Sequence, residues 1–297
     1  MKSCATVSLM LLLLTFIACG GKTSSPSPAT SGPLAGNWQM VLLQEFPGAQ
    51  ASFSVSGFID ETNNILTGSV QAPPLGTQDH CGGVSPLTGT VSGQNVTFSV
   101  NEFGTTVNFN GTISSDNRSM SGDFQGLGGA CLTEPTTGTW NAFLIPPLTG
   151  NFTGTINSAY MELLQGLQNP VPVAVSGSFT QSSNAGASNA TISGTITAVG
   201  YPCFTTVSLT GTISGQNVYL QIYNYSGEQI GRIGTPSSSS NGGGASPATV
   251  VLSSTGFSLI DQSPDGLFLG INTPGPCPPL SPGPLTSDNG PITFNFQ

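Results

Sequence analysis

The side chains able to do chemistry are few. The chain has one histidine, six cysteines, 13 Asp+Glu and four Lys+Arg in 297 residues. The histidine, His80, stands in Gln78-Asp79-His80-Cys81. Neighbours on an extended chain point to opposite sides, so Asp79 is poorly placed to orient His80 in a nucleophile relay. No G-x-S-x-G elbow supplies a serine. Carboxylate pairs suited to glycoside hydrolysis would be Asp60-Glu61, Asp116 with Asp123, and Asp261 with Asp265. All fall in or beside expected turns, where Asp is common for backbone reasons. Asp116-Asn117 could sit near a calcium ion, but the spacing matches no EF-hand loop. The runs Gly126-Leu127-Gly128-Gly129 and Gly242-Gly243-Gly244 lack the strand–helix setting of a phosphate loop. Neither a metal nor another cofactor is expected, and the scarcity of reactive groups points away from an enzyme. A hydrolase acting on glycans is the alternative.

Aromatic side chains are the other candidates. Trp38, Phe98, Phe109 and Trp140 share the apolar phase of their segments, as core or as the lining of a ligand cavity. Tyr219, Tyr223 and Tyr225 take the opposite phase to Val218, Leu220 and Ile222. There they would stack on sugar rings or a protein partner, or simply satisfy strand propensity on a wet face. The apolar segment Tyr160 to Leu167 reads as a short helix capping a barrel mouth or as an exposed contact patch.

These residues sit on a duplicated scaffold. Leu87-Thr88-Gly89-Thr90-Val91-Ser92-Gly93-Gln94-Asn95-Val96 returns as Leu209-Thr210-Gly211-Thr212-Ile213-Ser214-Gly215-Gln216-Asn217-Val218. Leu34-Ala35-Gly36-Asn37-Trp38 returns as Leu148-Thr149-Gly150-Asn151-Phe152, and Val55-Ser56-Gly57 as Val175-Ser176-Gly177. The offset grows along the chain from 114 through 120 to 122, the mark of loop insertions in the second copy. The copies span 34–146 and 147–297. Thr180-Gln181 replaces Asp60-Glu61, and Tyr201-Pro202-Cys203 replaces the His80-Cys81 site, so the module requires neither.

Within each copy the apolar period is two: Val96, Phe98 and Val100 alternate with Thr97, Ser99 and Asn101. Hairpin-length breaks divide copy one into eight strands at 36–45, 51–60, 65–72, 86–92, 95–102, 105–114, 119–124 and 138–145. Eight meandering strands leave exposed edges unless they close. The expected fold is therefore all-β, two tandem antiparallel meanders closed as eight-stranded up-and-down barrels, with β-sandwiches as the alternative. The polar outward face excludes a transmembrane barrel.

Composition agrees. Gly and Pro are abundant, at 40 and 23 residues. Only 6% of residues are charged and the formal net charge is −9, which excludes nucleic acid as a partner because phosphates need Lys and Arg. Cys81 and Cys203 occupy equivalent places, and Cys131 and Cys277 each precede the last strand of their copy. The simplest pairing is Cys81–Cys131 and Cys203–Cys277, one bridge per module.

The N-terminus is an address. Lys2 precedes an almost wholly apolar stretch, Val7 to Ala18, too short to span a bilayer and suited to a signal peptide over residues 1–18. Its end, Phe16-Ile17-Ala18-Cys19-Gly20, resembles the lipobox of bacterial lipoproteins, though Phe16 stands where Leu is usual. The resemblance implies that Cys19 becomes the mature N-terminus and carries acyl chains, anchoring the protein to a membrane. Gly20, in place of Asp, leaves outer-membrane sorting open. The rest of 19–33 is a Gly/Ser/Pro linker that reaches about 45 Å when stretched. Gly36-Asn37-Trp38 and Gly138-Thr139-Trp140 resemble the Gly-x-Trp starts of lipocalin-like and avidin-like barrels, in architecture only. The resulting expectation is a lipid-anchored envelope protein. Its two modules would serve binding or surface structure, for a small apolar ligand, a glycan or a protein.

Overall fold

In the computed structural model, residues 32–46, 49–72, 83–102, 104–128, 135–182, 187–234, 247–271, 275–281 and 286–296 are described. Cys19, Asp79, His80, Cys81, Cys131, the Gly242–Gly244 run, the signal segment and most of the linker lie outside them.

The first copy is a closed antiparallel barrel of eight strands. These are β1 (Gly36–Phe46), β2 (Ala49–Thr62), β3 (Ile65–Ala72), β4 (Gly83–Ser92), β5 (Asn95–Glu102), β6 (Thr105–Ile113), β7 (Ser119–Gly126) and β8 (Thr136–Ile145). Each pairs with its successor, and β8 returns to β1 with Asn37 opposite Ile145 and Gln39 opposite Phe143. The turn between β2 and β3 is Asn63-Asn64, both at positive φ (53° and 63°), as a tight hairpin requires.

Period-two patterning decides what faces inward. Trp38, Leu66, Val96, Phe98, Phe109 and Trp140 are buried together. Phe98 and Phe109 stack with ring centroids 4.5 Å apart, and Trp140 meets both edge-on at 5.3 and 5.8 Å. Glycines make room for these rings. A Cβ on inward-facing Gly111 would lie 2.7 Å from the Trp140 ring, and one on Gly138 would lie 2.6 Å from the Phe124 ring. The aromatic rings thus occupy the barrel interior. The indole N–H groups are satisfied: Trp38 donates to Leu34 O at 2.8 Å, and Trp140 to Asn110 O and Asp123 O, both at 3.2 Å.

The second copy closes in the same order, with interruptions. Its staves begin with β9 (Gly150–Ser158), β10 (Val171–Gln181), β11 (Ala190–Thr197), β12 (Thr206–Ser214) and β13 (Asn217–Tyr223). The sixth is split into β14 (Gln229–Ile233), paired with the far half of β13, and β15 (Ala248–Ser253), paired with its near half. The seventh is split into β16 (Gly256–Asp261) and β17 (Leu267–Leu269), and the eighth into β18 (Asp288–Gly290) and β19 (Ile292–Phe296). Pro291 divides the last pair because it has no N–H to give the ladder. β19 pairs back with β9 and closes the ring. Phe152 stacks between Phe179 and Phe294 at 5.1 and 4.7 Å inside it. The short helix α1 (Ala159–Gln165) follows β9. Among the described residues no helix is long and apolar enough to cross a membrane.

Both barrels fall within one compact unit. The β12–β13 hairpin of the second docks on β1 and β2 of the first. Asn37 donates from Nδ2 to Gly215 O at 2.9 Å and accepts Gly215 N–H at 2.7 Å. The Gln216 N–H reaches Gln39 Oε1 at 3.1 Å, and the hydroxyls of Ser56 and Ser214 meet at 2.8 Å. Phe58 and Ile145 of the first barrel pack into the apolar cluster of the second, with Phe143 alongside.

Candidate functional site at the free end of the second barrel

Antiparallel staves place alternate connections at opposite ends. The β12–β13 hairpin lies at the end that meets the first barrel. The described residues of the connections 159–170, 198–205, 224–228 and 270–287 (for the last, 270–271, 275–281 and 286–287) therefore gather at the other end.

Helix α1 packs against β18 and β10 at this end, with Tyr160 buried. Ser158 is its N-cap, accepting the Met161 N–H at 2.9 Å, and Gly166 ends it in the left-handed region at φ 65°. Asp288, at the start of β18, reinforces the cap from 130 residues away. It accepts Ser158 Oγ at 2.6 Å and the Tyr160 N–H at 2.7 Å, and its Oδ2 also accepts the Tyr201 hydroxyl. A carboxylate at a helix N-terminus meets free N–H groups and the positive end of the peptide dipoles. Burial, and then the Asp288 charge, hold the Tyr201 phenol far above its ordinary range. The same two causes raise Tyr160, whose hydroxyl donates to Pro278 O at 2.6 Å.

A disulfide joins Cys203 to Cys277 across 74 residues, tying two of these connections together. This is the second of the two expected bridges. Beside it opens a groove of about 470 Å³. Phe204, Val207 and Ile230 form its buried lining, and Asn224, Tyr225 and Glu228 its outer lining. Asn224 Oδ1 accepts the N–H groups of Ser226 at 3.0 Å and Glu228 at 2.9 Å, fixing the turn that carries Tyr225.

The sequence candidates are dispersed. Trp38 and Trp140 are core residues, 0 and 1% exposed, and neither meets solvent. The three tyrosines do not share one strand face, because β13 ends at Tyr223 and Tyr225 belongs to the turn beyond. Tyr223 donates to Gln221 on its own strand at 2.7 Å, and partial burial raises Tyr219. The carboxylates serve local structure. Glu61 accepts the Leu34 N–H at 2.9 Å, Asp116 accepts Ser114 Oγ at 2.6 Å, and Asp261 accepts Ser263 Oγ at 2.7 Å. The Ser114 hydrogen bond is the largest cause holding Asp116 below its ordinary value. Asp265 accepts from Asn289 at 3.1 Å. Among the described residues, no group of three or more His, Cys, Asp or Glu is placed to hold a metal ion. Asp288 and Ile230 escape sequence reasoning. Only the neighbourhood of Cys203 signals Tyr201 and Phe204.

Compared with family models, curated proteins and solved structures, the chain matches none.

Proposed function

We propose that the chain is a non-enzymatic, lipid-anchored protein of the bacterial cell envelope, held through Cys19 at the outer membrane, with binding as its task. One observation carries the binding part: the two ends of the second barrel differ. One end meets the first barrel, while the other holds an open-sided groove whose lining joins apolar Phe204, Val207 and Ile230 to polar Thr205, Thr206, Asn224 and Glu228, with Tyr225 exposed at its rim. The interiors are filled by stacked rings, so the ligand site this reading assigns is the groove and not the barrel lumen. Its lining of Phe204, Val207 and Ile230 suits a small apolar group, with Asn224 and Glu228 offering polar contacts at the edge. The anchor part rests on the lipobox resemblance at Ala18-Cys19.

Two measurements test the reading. Cys19→Ala is expected to remove acylation and shift the protein out of the membrane fraction, and a variant that stays there through alkaline washing refutes the anchor. Native mass spectrometry of the purified protein is expected to show a small bound molecule that is weakened by Tyr225→Ala. Equal occupancy in that variant refutes the groove.

A further inference from the structure

The exposed apolar side chains are not scattered. Among the described residues, eleven large hydrophobic side chains are exposed, and six of them (Leu163, Leu164, Leu167, Val199, Tyr225 and Ile271) lie on the four connections at the free end of the second barrel. Tyr225 is 99% exposed and Val199 88%, and the three leucines of the α1 segment are 58, 50 and 51% exposed. Helix α1 turns Tyr160 inward onto the barrel and leaves these leucines outward. The charged residues in these connections are Glu162 and Glu228, with no Lys or Arg.

We propose that this end is a bilayer contact, with the leucines, Val199 and Tyr225 seated at the headgroup–acyl boundary of the membrane that holds the anchor. The proposal rests on the anchor reading. Three features favour lipid over a protein partner. The side chains crown separate loops around a mouth, a shape that enters a soft boundary. They are mainly aliphatic, whereas protein hot spots favour Trp, Tyr and Arg and leave Leu and Val under-represented. The near absence of charge gives no pattern by which a particular protein would be selected, while aliphatic tips with a tyrosine suit the interface region. The tether allows it. The 14 residues of 20–33 stretch to about 45 Å, against about 30 Å for the nine-residue stave β9. A surface short of Lys and Arg is suited to zwitterionic lipid and gains nothing from anionic lipid.

The test uses the full lipidated chain with single cysteines, Leu164→Cys, Val199→Cys and, at the opposite end, Val251→Cys, each carrying an environment-sensitive dye. The probe is phosphatidylcholine vesicles in excess, with and without a shallow doxyl-labelled lipid. The expected result is a blue shift and loss of fluorescence to the doxyl lipid at positions 164 and 199 but not at 251. Flotation in the same samples reports the anchor separately. Protein that floats without quenching at 164 and 199 overturns the bilayer contact and leaves the anchor standing. Protein that neither floats nor quenches overturns both. Dyes at 164 and 199 that become shielded without vesicles as protein concentration rises show that a second copy covers the patch, and also overturn the proposal. Replacing Leu163, Leu164 and Leu167 together by Ser is expected to abolish quenching at 199 while the thermal transition is retained, since all three side chains are exposed.

Discussion

Asp288 shows how much a single buried carboxylate can organise. It serves the N-cap serine and a backbone N–H at the start of α1, and a phenol from the connection 198–205. Tyr201→Phe removes one donor and leaves Asp288 less satisfied, which is expected to cost about 1–3 kcal/mol in urea unfolding. The same residue sets an alkaline limit. Its folded-state phenol ionises above the ordinary value of 10.0. Its stabilisation is therefore complete below about pH 10 and is lost as pH rises beyond, where the unfolded chain releases the proton and the folded chain does not. Unfolding midpoints should fall above that pH, and fall less steeply in Tyr201→Phe. None of this was legible locally. Asp288 sits in a three-residue strand, and its partners are 87 to 130 residues away. Trp38 and Trp140, by contrast, were readable as core because they share the apolar phase of their strands with Met40 and Ala142 and are flanked by polar Asn37, Gln39, Thr139 and Asn141.

At the level of elements, legibility followed continuity. The eight strands of the first barrel match their alternation to within a few residues at each end, because each is one uninterrupted run between turn signals. In the second barrel the last three staves each consist of two pieces, and pieces such as β17 and β18 are too short to show a period. Gly-, Ser- and Pro-rich insertions between them mask the underlying ring of eight. The longest connection, between β17 and β18, is stapled by Cys203–Cys277, whose 74-residue separation implies about 4 kcal/mol of stabilisation in the chain-entropy model. Reduction should lower the stability of the second barrel by about that amount, measured by denaturant unfolding with and without reductant. An unchanged midpoint would show that the bridge is not formed or not stabilising.

At the scale of the whole molecule, the repeated hairpin has two fates. Gly215 is wedged against the first barrel, where a Cβ would lie 2.2 Å from Gln39 Oε1 and 2.5 Å from Ser56 Cβ. Its counterpart Gly93 has nothing within 4 Å of the same position, at a similar φ. Gly93→Ala should carry only the backbone strain of positive φ. Gly215→Ala should add a separation of the two barrels, seen as a second unfolding transition or as cleavage between residues 145 and 150 in limited proteolysis. Equal behaviour of the two variants would show that the joint is unimportant. Sequence alone could not foresee the joint, since Asn37 and Gly215 stand in segments nearly identical to those around Asn151 and Gly93.

That joint runs head to tail, one barrel's hairpin meeting the other's side wall. Contacts of this kind are open-ended, because each leaves an unused hairpin at one extremity and an unused wall at the other, and repetition builds a fibre. Here the spare hairpin, Ser92-Gly93-Gln94, is intact and exposed. The spare wall keeps Asn151 and Ser176 but has Ser178 in place of Phe58, Thr153 in place of Gln39 and Asn295 in place of Phe143. The second socket therefore lacks the apolar centre that Phe58 and Phe143 give the first, and the two walls are not interchangeable as seats for a hairpin.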